Sequence, residues 1–87
     1  ELGFVNKVVP ADELLATARE WAGMICACAP LSVRASKDVV YRSLDMASLE
    51  ESIKAKYDSV AAMATSEDFI EGPKAFSEKR APNWKGK

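Results

Sequence analysis

The sequence predicts a mainly α chain: three amphipathic helices plus short C-terminal helices, preceded by one short extended N-terminal segment. Three observations lead to this reading. Apolar residues recur at helical spacing over the stretches beginning at Leu14, Val33 and Leu49. Pro30 and the Gly72-Pro73 pair punctuate those stretches. One run alone, Phe4 to Val9, has the β-branched character of a strand, and no second run offers it a partner.

Each element follows in order. Phe4-Val5-Asn6-Lys7-Val8-Val9 ends at Pro10, which cannot donate to a ladder, so it is expected to be extended. A lone strand leaves its backbone groups to water or to another chain, and part of the fold is therefore expected to lie elsewhere. Asp12 is placed to cap the first helix, with Glu13 also at its positive end. Leu14, Leu15, Ala18, Trp21, Ala22 and Ile25 share one face of that helix until Pro30 stops the pattern. Ser32 is expected to cap a second helix that carries Val33, Val40 and Leu44.

Ser48 and Glu51 form the pattern of a capping box for the third helix. Its stripe is the cleanest in the chain: Leu49, Ile53, Tyr57, Val60, Ala61 and Ala64, with Ile53 and Val60 expected to be buried. Ser66 reads as the cap of a short helix over residues 67–71. Gly72-Pro73 reads as a break, with Pro73 opening a last helix that ends near Arg80 and an extended tail after it.

The chain has 87 residues, enough for one small domain. A single core at or below roughly 80 residues supplies only a few kcal/mol, so a partner surface is expected to help hold it. With 48% hydrophobic and 29% charged residues the composition is that of a globular protein rather than a disordered one. There is no histidine, which removes Ser/His and Cys/His nucleophilic pairs and the commonest metal ligand. Cys26 and Cys28 lie too close for an ordinary disulfide and about 200° apart around a helix of ~3.6 residues per turn, so they read as structural thiols in a reducing compartment. The scattered glycines make no phosphate-cradling motif, and no apolar run approaches the roughly 18 residues of a membrane span. Glu1-Leu2-Gly3 has neither an initiating Met nor a signal-peptide pattern, so the sequence is expected to begin in mid-chain.

Two constellations bear on function. Asp68 and Glu71, three apart, meet the spacing of a carboxylate pair for acid/base work, but no glycine-rich oxyanion loop accompanies them, and service to helix ends and ion pairs is the favoured reading. The net charge of −1 hides a basic end, where Lys74, Lys79, Arg80, Lys85 and Lys87 stand against Glu78 alone. Lys79 and Arg80 follow Phe76 by three and four residues, on its side of a helix. An aromatic ring beside cations suits a nucleotide, with Phe76 stacking and Lys79 meeting a phosphate; the alternative is that Phe76 plugs the core and the cations are solvated.

Taken together, Gly3 to Pro10, Pro30 to Lys37, and above all the D-x-x-E-G-x-x-A-F-x-x-K-R-x-P arrangement of Asp68 to Pro82 resemble the C-terminal portion of crotonase-family (enoyl-CoA hydratase/isomerase) enzymes. The resemblance covers essentially the whole chain. It implies a ββα spiral preceding Glu1 that supplies oxyanion-hole amides and, in hydratases, two glutamates. It also implies that residues 1–10 extend from that core domain, and that residues 11–87 form a helical oligomerisation and acyl-CoA-covering domain. No residue here matches a catalytic motif, so the catalytic set is none and the isolated chain is expected to be inactive, while the parent is a lyase or isomerase.

Phe76 and Lys79 match positions that contact the CoA moiety in some members, commonly from a neighbouring subunit. The partners implied are further copies in a trimer or dimer of trimers, and acyl-CoA; no nucleic acid, membrane, metal or cofactor beyond the coenzyme A thioester substrate is implied. The implied location is cytoplasmic in a bacterium and the mitochondrial matrix in a eukaryote. The alternatives are a stand-alone association module without ligand and a small helical acyl-CoA carrier.

Overall fold

The computed structural model describes residues 2–87 and is mainly α, as expected. A 3-10 turn over Ala11–Glu13 leads into α1, Leu14–Cys26, followed by α2, Pro30–Ser43, α3, Leu49–Lys54, α4, Asp58–Ala64, and α5, Glu67–Ser77. There is no strand among the described residues; residues 4–10 form no regular element, with Phe4 and Val8 exposed.

Two of the expected caps are corrected. Asp12 makes no capping bond but lies within the 3-10 turn, which closes through the Glu13 amide on the Pro10 carbonyl at 3.0 Å. Helix α2 begins at Pro30 rather than after Ser32: Ala29 takes the capping position, its carbonyl accepting from Val33 N at 3.1 Å, and proline at the first helical position forfeits only an amide that would have no helical partner. The capping box forms. Ser48 Oγ accepts from Glu51 N at 3.1 Å, while Glu51 Oε2 reaches the Ala47 amide at 2.9 Å, one residue further back than the usual reciprocal arm.

The third helix is not continuous. Ala55 and Tyr57 are extended, which separates α3 from α4. The break turns Tyr57 into a buried polar knot, where its hydroxyl donates to the Ser52 carbonyl at 2.9 Å and stands 3.3 Å from Ser52 Oγ. The Arg42 guanidinium lies over the ring, 5.3 Å from its centroid. Ile53, which an unbroken helix would keep on the same buried stripe, is 74% exposed instead.

The expected break at Gly72-Pro73 is absent, and α5 runs through Pro73. Proline disfavours helical backbone in the preceding residue partly by clashing with that residue's Cβ, and Gly72 has none. Pro73 has no amide to donate to the Phe69 carbonyl, and the C-terminal tail folds back along this helix through Asp68.

Helices α2 and α4 form the principal packed pair, joined by the Ser59 hydroxyl donating to Asp38. Helix α4 also touches α5, whereas α1 rests chiefly on its own leading turn. The outcome is flat and open, with extents of 43 × 42 × 19 Å and a radius of gyration of 16.6 Å. A compact chain of this length would have a radius near about 12 Å. The accessible surface of 7386 Å² likewise exceeds the roughly 5,000 Å² expected of a closed protein of this mass. Among the described residues only Ala35, Tyr57 and Ala75 are buried apolar side chains, so the helices do not close over a core of their own.

Candidate functional site

The residues singled out by sequence lie at the far end of α5. Ser66 caps the start of this helix, its hydroxyl accepting from Phe69 N at 3.1 Å. At the other end the Arg80 amide donates to the Ala75 carbonyl at 3.0 Å and the Lys79 amide to the Phe76 carbonyl at 3.2 Å, the paired bonds of a Schellman motif. Lys79 occupies its left-handed position, with φ of 53°, where glycine is usual. Lys79 therefore stands beyond the helix, and the expectation that it follows Phe76 on one helical face is corrected.

Phe76 is 87% exposed while its neighbour Ala75 is 2% exposed, so the reading in which Phe76 plugs the core of this chain is overturned. Lys79 has no ion-pair partner among the described residues. Arg80 is committed: its guanidinium donates to both oxygens of Glu71, at 2.6 and 3.1 Å, and also pairs with Glu78. Of the two cations that follow Phe76, only Lys79 is left unpaired.

Asp68 and Glu71 do come to one face, as their spacing predicts, but they hold the tail rather than a reacting group. Asp68, 3% exposed, accepts from the amides of Lys85 and Gly86, both at 2.8 Å, and its own amide donates to the Lys87 carbonyl at 3.2 Å. Glu71 Oε1 accepts from Asn83 N at 2.8 Å as well as from Arg80. The Arg80 guanidinium, and secondarily the Asn83 amide, hold the Glu71 carboxyl well below its ordinary value of 4.5, at about 2. Both carboxylates therefore hold the returning tail and the end of α5.

The tail is the part that sequence reasoning missed. The sequence reads as an extended tail leaving α5, and the structure folds that tail back along the helix. Trp84 packs its ring against Gly72, 3.4 Å from where a Cβ would lie, and donates its indole N–H to the Ala27 carbonyl at 2.9 Å, tying α5 to the corner between α1 and α2. Lys85 pairs with Glu67 at 3.1 Å, and Gly86 turns with φ of 71°. An indole and a glycine in so short a basic tail were the available signals of a docked segment.

Among the described residues no group of three or more His, Cys, Asp or Glu side chains is arranged to hold a metal ion. No helix there is long and apolar enough to cross a membrane. Cys26 and Cys28 are free thiols, both exposed rather than packed inside.

With helix order, capping and this tail-braced α5 in place, comparison with known proteins identifies the class. The whole chain, residues 1–87, matches the sequence profile described as enoyl-CoA hydratase/isomerase. The carnitinyl-CoA dehydratase of Proteus mirabilis is 45% identical over 89 residues, a match covering 98% of this chain and 34% of that protein. The mevalonyl-coenzyme A hydratase of Aspergillus fumigatus is 44% identical over 84 residues, covering 95% of this chain and 31% of that protein. Among solved structures, an enoyl-CoA hydratase/isomerase from Mycobacterium paratuberculosis superposes with a TM-score of 0.91 at 35% identity, covering 99% of this chain and 34% of that one. A short chain enoyl-CoA hydratase from Novosphingobium aromaticivorans gives a TM-score of 0.87 at 38% identity, covering 98% and 33%. The chain belongs to the enoyl-CoA hydratase/isomerase family, and it spans about a third of the length of the relatives it matches.

Proposed function

We propose that these residues are the helical portion of an enzyme acting on acyl-CoA thioesters by hydration or dehydration, and that they contribute subunit association and cover of the CoA moiety rather than catalytic groups. Residues 1–10 then continue from a preceding core domain, and residues 11–87 are the covering domain. The groups that polarise the thioester carbonyl and move protons are supplied by another part of the protein. The only substrate-derived group required is the coenzyme A thioester itself.

The observation that carries the reading is the pairing of an exposed Phe76 with an unpaired Lys79 at the end of a braced helix. A phenyl ring left in water has area to offer an adenine, and a stacked base contributes roughly 1–3 kcal/mol. The ammonium meets a phosphate as a point charge. The names of the relatives support the substrate class, since they are enzymes of carnitinyl-, mevalonyl- and enoyl-CoA. The association role is supported by the open surface, which leaves Leu14, Leu15 and Ile25, from one face of α1, exposed.

Steady-state kinetics of the full-length protein test the reading. Against crotonyl-CoA, Phe76→Ala is expected to raise KM by roughly five- to a hundredfold and Lys79→Ala by roughly two- to fivefold, with kcat nearly unchanged, because the contacts are equal in ground and transition states. The matching pantetheine thioester, which lacks the nucleotide, is expected to be indifferent to both changes. Equal KM values for parent and variants on crotonyl-CoA would remove the proposed contact.

A further inference from the structure

We propose that Glu71 is a positioning residue for the ligand-contacting end of α5, acting through Arg80 to fix the left-handed turn from which Lys79 projects. The proposal rests on the reading of Lys79 and Phe76 given above and adds to it the device that holds them.

A helix end is ordinarily the part of a helix that frays, since its last carbonyls lack helical partners. Here that end also carries a lysine at φ of 53°, a backbone conformation that strains any residue with a Cβ. Such a conformation persists only where the surroundings over-determine it. The Schellman bonds of Lys79 N and Arg80 N supply part of the constraint, but both belong to the fraying turn itself.

The remaining constraint comes from outside that turn. Glu71 lies in the middle of α5, nine residues before Arg80, and grips its guanidinium with both oxygens. The same Oε1 accepts from the Asn83 amide, so one carboxylate fixes the chain at position 80 and again at 83. The bidentate geometry specifies direction as well as distance, which a lysine at 80 would not do. The stretch of α5 that carries Glu71 is braced on either side, with Gly72 against the Trp84 ring and Asp68 holding the tail one turn earlier. Lys79, lying directly before Arg80, has its backbone direction set from both sides while its own side chain makes no ion pair that would restrain it.

The test is a binding measurement on the full-length protein, with coenzyme A and pantetheine as probes. Glu71→Ala is expected to weaken coenzyme A binding roughly two- to fivefold and to leave pantetheine binding unchanged; Arg80→Lys should fall between it and the parent. Glu71→Gln, which keeps an acceptor for Asn83 N and one guanidinium N–H, is expected to restore at least half of the loss. Because Glu71 acts through Lys79, the double variant Glu71→Ala/Lys79→Ala should bind no more weakly than Lys79→Ala alone.

Full additivity in the double variant, equal loss for pantetheine, or parental affinity in Glu71→Ala alongside weakened Lys79→Ala would overturn the positioning role while leaving the contact itself intact. Parental affinity in Lys79→Ala, or no measurable coenzyme A binding by the parent, would overturn both.

Discussion

Asp68 shows what a single residue of the family pattern does here. A carboxylate 3% exposed would be costly if it stood alone, but its two oxygens accept the Lys85 and Gly86 amides. Replacing it with Asn turns one acceptor into a donor facing an N–H, at a cost of about 1–3 kcal/mol. Asp68→Asn is therefore expected to expose the Gly86 amide to rapid hydrogen exchange, and retained protection in that variant would refute the clasp.

Glu71 makes the same point through pH. Its folded-state pKa is depressed to about 2 from 4.5 by Arg80 first and the Asn83 amide second, with Lys74 adding to the positive surroundings. The unfolded chain therefore takes up this proton first as pH falls. The stabilisation is present above about pH 4.5 and is lost as pH falls toward 2. The stability difference between the parent and Glu71→Gln should be largest near neutrality and shrink across that interval in denaturant titrations; a constant difference would show that charge is irrelevant.

At the scale of elements, two boundaries were decided by partners rather than by local propensity. The stripe from Leu49 to Ala64 has helical spacing throughout, yet the helix breaks so that the Tyr57 hydroxyl can meet the Ser52 carbonyl under Arg42. Removing that hydroxyl in Tyr57→Phe leaves a buried carbonyl short of a donor and should cost about 1 kcal/mol in thermal or denaturant unfolding. Parental stability in the Tyr57→Phe variant would mean that the break is local in origin. The reverse happens at Gly72-Pro73, where a pair that reads as a stop is carried through, Gly72 having no Cβ to clash with the proline ring. The caps at Ser48 and Ser66 were legible because they depend on bonds within four residues of sequence, whereas the tail's bonds to Asp68 span 17 and 18 residues.

At the scale of the molecule, the flat shape and large surface separate residues buried within this chain from residues left in solvent. Val60 is half-buried where α4 lies on α2, beside Val39, Val40 and Met63. Ile53 is left in solvent. Val60→Asp should therefore destabilise the 87-residue chain by several kcal/mol, while Ile53→Asp changes it by less than about 0.5 kcal/mol. Equal destabilisation by the two would show that the chain closes further in solution than its 16.6 Å radius implies. If the association role holds, Ile53 and the exposed residues of α1 are where charge should disrupt assembly of the full-length protein, read by sedimentation.

Helical content, the apolar stripes, the caps at Ser48 and Ser66 and the family pattern from Asp68 to Pro82 were readable in the order of residues, because each depends on spacing within a few turns of helix. Which stripe faces inward, where the third helix yields, why Pro73 is tolerated and how the tail returns to Asp68 and Ala27 were decided only in three dimensions. The reason is physical: periodicity marks a face as apolar but carries no information about what covers it. A buried carboxylate, likewise, is tolerated only where distant backbone amides converge on it.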